Sequence, residues 1–359
     1  MEKQVLEGLR LSIGLDIGHS KAKIQFATNQ NTENHTLDEY DTMVMEAIEL
    51  SQERARENAK DLTVEYAGKK YFIGNAALIQ SNQQEYSGQK SEWFLDLEHD
   101  VLVLGAWKRI MDKLPAKPEY IKLATGLPTD YFAKHHKDFR DHLINLLTPL
   151  LDSKQKLQVV VRQQSEAPLL NMILLENGRV NPDYDLNNEE FGAIDIGHFT
   201  TDISKLVEAQ LRETEKSSST GVQICYERLK DIFIKKNYPH SLRHLIRAME
   251  NGSINTADGK IDVREDVDKA ATQLRESVLN DAKRIFAKDK QALRKIVVAG
   301  GGAVLVIDAL KREFPMAEVS QHPKGPRYAV VGGLLKLAIQ LNLKEEDELK
   351  AKTQAKTTL

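Results

Sequence analysis

The sequence predicts an α/β chain made of two related halves, and three observations lead there. One acid–glycine turn occurs twice, as Asp16-Ile17-Gly18-His19-Ser20 and as Asp195-Ile196-Gly197-His198-Phe199. Each copy follows an apolar β-type run, Leu11 to Leu15 and Phe191 to Ile194. Each precedes a run that can pair back as a hairpin, Lys21 to Ala27 and Thr200 to Leu206. Throughout the chain, period-2 segments alternate with period-3.6 segments, the pattern of strands interleaved with helices. At 359 residues the chain exceeds the usual single-domain range, so two domains of about 150–180 residues each are expected.

The elements follow in order. After the first hairpin, Glu39 to Lys60 reads as a helix, with Met43, Ala47, Ile48 and Leu50 apolar among charges. Leu62 to Phe72 reads as a hairpin turning at Ala67-Gly68-Lys69, and Leu97 to Leu114 as a helix. Tyr120 to Thr125 is a strand ending at Gly126-Leu127-Pro128, where proline stops further pairing. Tyr131 to Leu147 is helical and Leu157 to Arg162 is a β-branched strand. A helix from about Pro168 to Glu176 ends near Asn177-Gly178, a C-terminal signal. The polar segment Asn181 to Glu190 has no period and marks the boundary between halves.

The second half opens with the strand Phe191 to Asp195. The hydroxyls of Ser217-Ser218-Ser219-Thr220-Gly221 can cap a helix from Val222 to Ile234. Asp266 to Lys288 predicts one long helix, with Val267, Ala271, Leu274, Val278 and Ile285 along one face. Lys295 to Ala299 is a strand, Gly300-Gly301-Gly302 opens a helix through Leu310, and Tyr328 to Leu341 is the last helix, started by a turn at Pro326. From Lys344 the tail is rich in Lys, Glu and Thr with almost nothing apolar, so 343–359 is expected to be disordered.

Composition narrows the function classes. The chain is 41% apolar and 29% charged with mean hydropathy −0.44, and no run approaches the ~20 apolar residues that span a bilayer. Met1 to Arg10 lacks the apolar stretch of a secretory signal. The single cysteine, Cys225, excludes an internal disulfide framework and fits a reducing cytoplasm. Val222, Ile224 and Leu229 around it predict a buried, inert thiol. A formal charge of −3 gives no global attraction to nucleic acid, so direct nucleic-acid binding is not expected and a DNA partner would be reached through another protein.

The chemistry lies in the twin turns. A strand, a tight turn with an acid and a glycine, and a returning strand make a loop whose backbone N–H groups can bind phosphate. Two such loops predict a clamp on one polyphosphate. A carboxylate beside phosphate needs a cation, so Asp16 and, by symmetry, Asp195 are expected to hold Mg²⁺ through its waters, since Mg²⁺ dehydrates reluctantly. Gly18 and Gly197 let the backbone approach phosphate. Ser20 offers a hydroxyl, Lys23 can point back from the returning strand, and Thr200, Thr201 and Asp202 add polar groups to the second loop. The alternative for either loop alone is an ordinary hairpin; their coincidence argues against it. Gly300-Gly301-Gly302-Ala303, between strand and helix, can pack adenosine or an α-phosphate against backbone near a helix N-terminus. His19 and His198 hold equivalent turn positions and read as turn formers or supporting donors rather than a metal pair. No GxxxxGK[ST], HExxH, GxSxG or Cys/His zinc spacing occurs.

In this order the motifs resemble the actin, Hsp70 and sugar-kinase ATPase superfamily. Within it the chain is most similar to bacterial actin-like proteins of the ParM (StbA) plasmid-segregation type. The likeness covers about residues 10–340. It rests on Asp16-Ile17-Gly18 with Lys23, Leu123-Ala124-Thr125-Gly126-Leu127-Pro128, Ala193 to Asp202, Ser219-Thr220-Gly221-Val222, and Val297 to Ala303. It implies two RNase H-like domains flanking a nucleotide cleft, at 10–188 with an insert near 29–92 and at 189–342 with an insert near 222–292. It also implies ATP (or GTP) with Mg²⁺, filaments that assemble with nucleotide and fall apart after hydrolysis, and self-association as the main partnership. A DNA-binding adaptor protein would supply the cargo. Gly221 would lie near the ribose. In Gln164-Ser165-Glu166-Ala167-Pro168, the resemblance implies that Glu166, or else Gln164, orients the attacking water, with Asp195 as the other catalytic residue. The chain departs from the family at His19, where relatives carry a small residue, and in the longer link Asn177 to Glu190. Two other uses of the fold remain open. A small-molecule kinase needs a base for a substrate hydroxyl, and no second acidic motif stands between Gly126 and Gln164. A non-polymerising adaptor at a membrane would want an amphipathic anchor, and the tail has no apolar face.

Overall fold

Residues 8–81, 93–212, 218–257 and 259–357 are described by the computed structural model, so Met1 to Glu7 and Ser217 lie outside it. The chain divides into two units. One comprises the described residues up to Tyr184 together with those from Val330 onward; the other is Asp185–Ala329. Among the described residues no helix is long and apolar enough to cross a membrane.

In the first unit, β1 (Arg10–Ile17) and β2 (Lys21–Thr28) form the predicted hairpin, and β3 (Asn31–Asp41) pairs on the far side of β2. A separate three-stranded sheet follows, from β4 (Val44–Glu46), β5 (Thr63–Tyr66) and β6 (Lys69–Ile73), with α1 (Glu53–Lys60) before β5 and α2 (Gly74–Gln80) after β6. Next come α3 (Leu97–Met111), β7 (Tyr120–Leu127), α4 (Thr129–Leu147), β8 (Lys156–Gln163) and α5 (Ala167–Ile173). The main sheet has the order β3-β2-β1-β7-β8, antiparallel across β3, β2 and β1 and parallel across β1, β7 and β8.

The second unit repeats that plan. It contains β9 (Glu190–Ile196), β10 (Thr201–Val207), β11 (Gln210–Arg212), α6 (Gln223–Lys235), α7 (Leu242–Asn251), β12 (Ser253–Thr256) and β13 (Gly259–Asp262). Then follow α8 (Arg264–Ala270), α9 (Thr272–Phe286), β14 (Leu293–Ala299), α10 (Ala303–Glu313) and β15 (Ala317–Val319). Its main sheet has the order β11-β10-β9-β14-β15, with the same switch from antiparallel to parallel at β9. The duplicated turn of the sequence is thus the visible part of a duplicated sheet.

Several elements differ from the sequence reading. The predicted helix Glu39 to Lys60 is instead the end of β3, then β4, then the short α1. Its backbone bonds go to partners distant in sequence, Val44 to Ile73 and Ala22 to Tyr40. β3 is an edge strand with almost no apolar face, so alternation could not reveal it. The first small sheet begins at Val44, because β3 belongs to the main sheet. The predicted long helix is two, α8 and α9. Val267 and Ala270 pack in a small core with Leu229, Phe233, Leu245, Ile254 and Val263, whereas Ala271, Leu274, Val278 and Phe286 pack in the main core. One unbroken stripe does not serve both.

The tail predicted as disordered is helical. α11 (Ala329–Thr357) runs through it, and from Val330 onward it belongs to the first unit. Composition misled here because the tail is held by charge. Arg10, only 2% exposed, pairs with Glu345 and Glu346 at 3.5 and 3.4 Å, and Lys122 pairs with Glu345 at 2.7 Å. Nearer its start, α11 lies backbone to backbone against two elements. A Cβ on Gly14 would sit 2.4 Å from the Val331 carbonyl oxygen, and one on Gly333 would sit 1.9 Å from that of Ala167.

α5 ends at Ile173, short of the expected Glu176, and Leu174 pairs with Val180 in a small turn. Glu176 on that turn binds His35 Nδ1 and Lys336 Nζ, each at 3.0 Å. The His35 hydrogen bond, with Lys336, lowers its pKa to about 2. A depressed carboxylate stabilises the fold above its unfolded pKa and loses that contribution as pH falls through the folded value. Stability should therefore decline from about pH 4.5 toward pH 2, and Glu176→Gln should flatten that limb in urea titrations at stepped pH.

Candidate functional site

In the first unit the antiparallel register sets Asp16, at the end of β1, directly across from Lys23. Opposite residues of a hairpin share a face, and Lys23 Nζ lies 2.8 Å from Asp16 Oδ2, with the aspartate 5% exposed. Burial makes this carboxylate costly, and the lysine offsets the cost. Lys23 therefore grips Asp16. The Gly18 N–H donates to the Lys21 carbonyl at 3.0 Å, closing the turn. Thr42 braces the tip, its Oγ1 donating to the His19 carbonyl at 2.7 Å and its N–H to the Ser20 carbonyl at 3.2 Å. The His19 ring packs 5.0 Å from Trp93, which meets the buried His99 edge-on. Burial lowers the His99 pKa to about 3, so that ring stays neutral. Neither Thr42 nor Trp93 stands out in the sequence, because their roles depend on chain folding back from outside the motif.

The 3-10 turn Gln164–Glu166 after β8 brings Gln164 to the same carboxylate, with Nε2 3.4 Å from Asp16 Oδ1. Glu166 is two residues further, at the start of α5. Burial raises its pKa and the charge of Arg162 partly opposes the rise. Of the two candidates in this segment, Gln164 is the one beside Asp16.

In the second unit the same turn recurs, the Gly197 N–H donating to the Thr200 carbonyl at 2.8 Å. Asp195, 9% exposed, lies across from Asp202, whose Oδ2 accepts from Thr200 Oγ1 at 3.1 Å. The loop carbonyls receive the start of α6: the N–H groups of Val222 and Gln223 donate to Gly197 and His198 at 3.0 and 2.8 Å. That replaces the predicted hydroxyl cap, because no side chain caps α6. Thr220 turns to the sheet and to α9 instead, its carbonyl accepting from Thr201 Oγ1 at 2.7 Å and its Oγ1 from Ser277 Oγ at 3.2 Å. A Cβ on Gly221 would lie 2.4 Å from the His198 carbonyl oxygen, so the helix start can approach the loop only without a side chain. His198 stands near Tyr226, ring centroids 5.7 Å apart.

Gly300-Gly301-Gly302 closes on the same loop. Gly300 has φ +83°, and a Cβ there would lie 2.3 Å from the Ile196 carbonyl oxygen and 2.7 Å from Asp195 Oδ1. Its N–H donates to Pro326, and that of Gly302 donates to Ile196, at 3.1 and 3.2 Å. Gly301 faces open space, and Ala303 starts α10. Asp195, Gly197, His198, Thr200, Gly221 and the glycine triplet thus gather at one end of β9. Cys225 is buried and burial raises its thiol pKa to about 11, the inert thiol expected.

No group of three or more His, Cys, Asp or Glu side chains among the described residues could cage a metal. The first loop instead presents one nearly buried aspartate, Asp16, and the second presents two, Asp195 and Asp202. That donor set fits a hydrated Mg²⁺ held through water and by substrate phosphates.

Residues 14–164 match the family of actin-like proteins, N-terminal domain, and residues 193–312 match the archaeal actin homologue MreB-like C-terminal family. No curated protein matches the chain. Among solved structures, the fold resembles a 15-stranded ParM filament from Clostridium botulinum, with 18% identity over 92% of this chain and 99% of that one, at TM-score 0.67. It also resembles the actin-like protein Alp7A, with 15% identity, coverages of 96% and 99% and TM-score 0.66. A Bacillus thuringiensis ParM with ATP matches at 13% identity, coverages of 93% and 99% and TM-score 0.61.

The glycine triplet can be tested on stability alone. Gly300→Ala, forced to positive φ against two oxygens, should destabilise the second unit by about 1–3 kcal/mol. Gly301→Ala, facing open space, should shift it by less than about 0.5 kcal/mol. Paired urea melts would read both.

Proposed function

We propose that the chain, which belongs to the actin-like proteins, is a nucleotide-dependent polymerising ATPase that forms filaments for DNA segregation. The observation that carries this reading is the pair of near-identical acid–glycine turns, each closed by the same glycine N–H bond at the same strand of two sheets of equal topology. Repetition of a loop within a repeated sheet supports one ligand with repeated charge, and a triphosphate is that ligand.

Backbone N–H groups at His19, Ser20, His198 and Thr200 would bind phosphate oxygens, while Gly18 and Gly197, whose own N–H groups close the turns, would let phosphate approach the backbone, with the Lys23 ammonium as counter-charge. Gly301, which faces open space, would leave room for ribose and purine, with Gly221, Gly300, Gly302 and Ala303 packing the loop and the helix starts that border it. Asp16 and Asp195 would hold the waters of Mg²⁺, which supplies positive charge against the phosphates when bound. Gln164 takes the water-orienting role. Its Nε2 donates toward Asp16, which leaves the side-chain carbonyl to accept a hydrogen bond from water in line with the γ-phosphorus. That water attacks phosphorus, the bond to the β,γ-bridging oxygen breaks, and ADP and phosphate leave. Filaments would form with ATP and break down after this step, and a DNA-binding adaptor protein would join them to their cargo. Guanine nucleotide is the alternative substrate.

Sedimentation and light scattering with Mg-ATP, Mg-GTP, ADP or no nucleotide test assembly; no triphosphate-dependent polymer at high protein concentration would sink the proposal. Asp195→Ala should abolish Mg-dependent turnover. Gln164→Ala should keep nucleotide affinity but slow hydrolysis about tenfold to a thousandfold. Glu166→Ala is measured beside it, and a slowing confined to that variant would move the water-orienting role to Glu166.

A further inference from the structure

We propose that Gly126 is a positioning residue: the side chain missing there leaves the space in which Gln164 reaches Asp16. The inference rests on the reading of Gln164 given above. Gly126 stands near the end of β7, paired in parallel register with Arg162 of β8. Two residues past Arg162 the chain leaves the sheet as a 3-10 turn that begins at Gln164. A Cβ on Gly126 would lie 2.8 Å from Gln164 Cγ, but 3.5 Å from Gln164 Cα and 3.6 Å from the Arg162 carbonyl oxygen.

The contrast between these distances decides what would move. Contacts of 3.5 and 3.6 Å are ordinary van der Waals separations, so the backbone of β8 and of the turn after it accepts a methyl group. Only the Gln164 side chain is too close. It can yield by rotating about its own first torsion, and that rotation swings the amide away from Asp16. The turn itself has another anchor, because the hydroxyls of Thr129 and the fully buried Ser165 meet at 3.1 Å. Alanine also suits a strand better than glycine does. The substitution therefore acts on one side chain and leaves the sheet in place.

The test is a double-mutant cycle on the full chain, with turnover at saturating Mg-ATP, nucleotide affinity and urea stability measured for each variant. Gly126→Ala should slow turnover about tenfold to a hundredfold at near-unchanged affinity, the same direction expected of Gln164→Ala. Once Gln164→Ala has removed Cγ, adding Gly126→Ala should cost nothing further. If Gly126→Ala alone folds poorly, the proposal requires that the double variant recover stability. A crystal structure of Gly126→Ala should show the Gln164 amide turned off Asp16. Normal turnover in Gly126→Ala beside slow turnover in Gln164→Ala overturns this inference alone, as does a structure with the amide still on Asp16, or an additive loss in the double variant. Normal turnover in Gln164→Ala removes the role assigned to Gln164, and this inference with it.

Discussion

A carboxylate almost out of water at the end of a central strand is the constraint that the two sites answer. Burying such a charge without compensation costs several kcal/mol, so its neighbours are not free to vary. At Asp16 the compensation comes from across the hairpin, as Lys23 at 2.8 Å, with the Gln164 amide at 3.4 Å from the other oxygen. At Asp195 the residue across the hairpin is Asp202, which receives the Thr200 hydroxyl, and the Gly300 turn closes over Asp195 itself. Backbone geometry is shared between the two loops; charge is not. The first loop carries its own cation, and the second concentrates acid.

That asymmetry sits on a repeated frame. In each unit the turn joins the two strands beside the switch from antiparallel to parallel pairing. There the hairpin strand departs on one side and the crossover strand arrives on the other, and the segment after a parallel strand ends beside the turn. Gln164 follows β8 in the first unit, and the glycine triplet follows β14 in the second. The two sheets have thus been given different tools at different strands, a side-chain amide after the edge strand β8 in one and bare backbone after β14, next to the central strand, in the other.

Small cores outside the main sheets show where local patterning stops informing. The helical reading of Glu39 to Lys60 failed because Glu, Ala, Met and Leu favour helix locally, while Val44 to Glu46 obtain their backbone bonds from β6. Disorder was expected of the tail because apolar content is the usual measure of folding drive. Here Arg10 and Lys122, buried in the sheet, draw Glu345 and Glu346 onto it. The polar serine and threonine run before α6 looked like a cap, but two loop carbonyls supply the first N–H groups of that helix with partners.

What the sequence alone determined is whatever repeats or alternates within reach of its own neighbours. That covers the twin turns, the hairpins around them, strands β7, β8, β9 and β14, helices α3, α4 and α10, and the glycine triplet. Tertiary structure alone decided which groups share a carboxylate. Gln164 and Asp16 are far apart in the chain, and nothing local distinguishes Gln164 from Glu166. Only the parallel register of β7 on β8, which ends one turn short of Glu166 and leaves Gly126 bare beside Gln164, brings the amide to the acid.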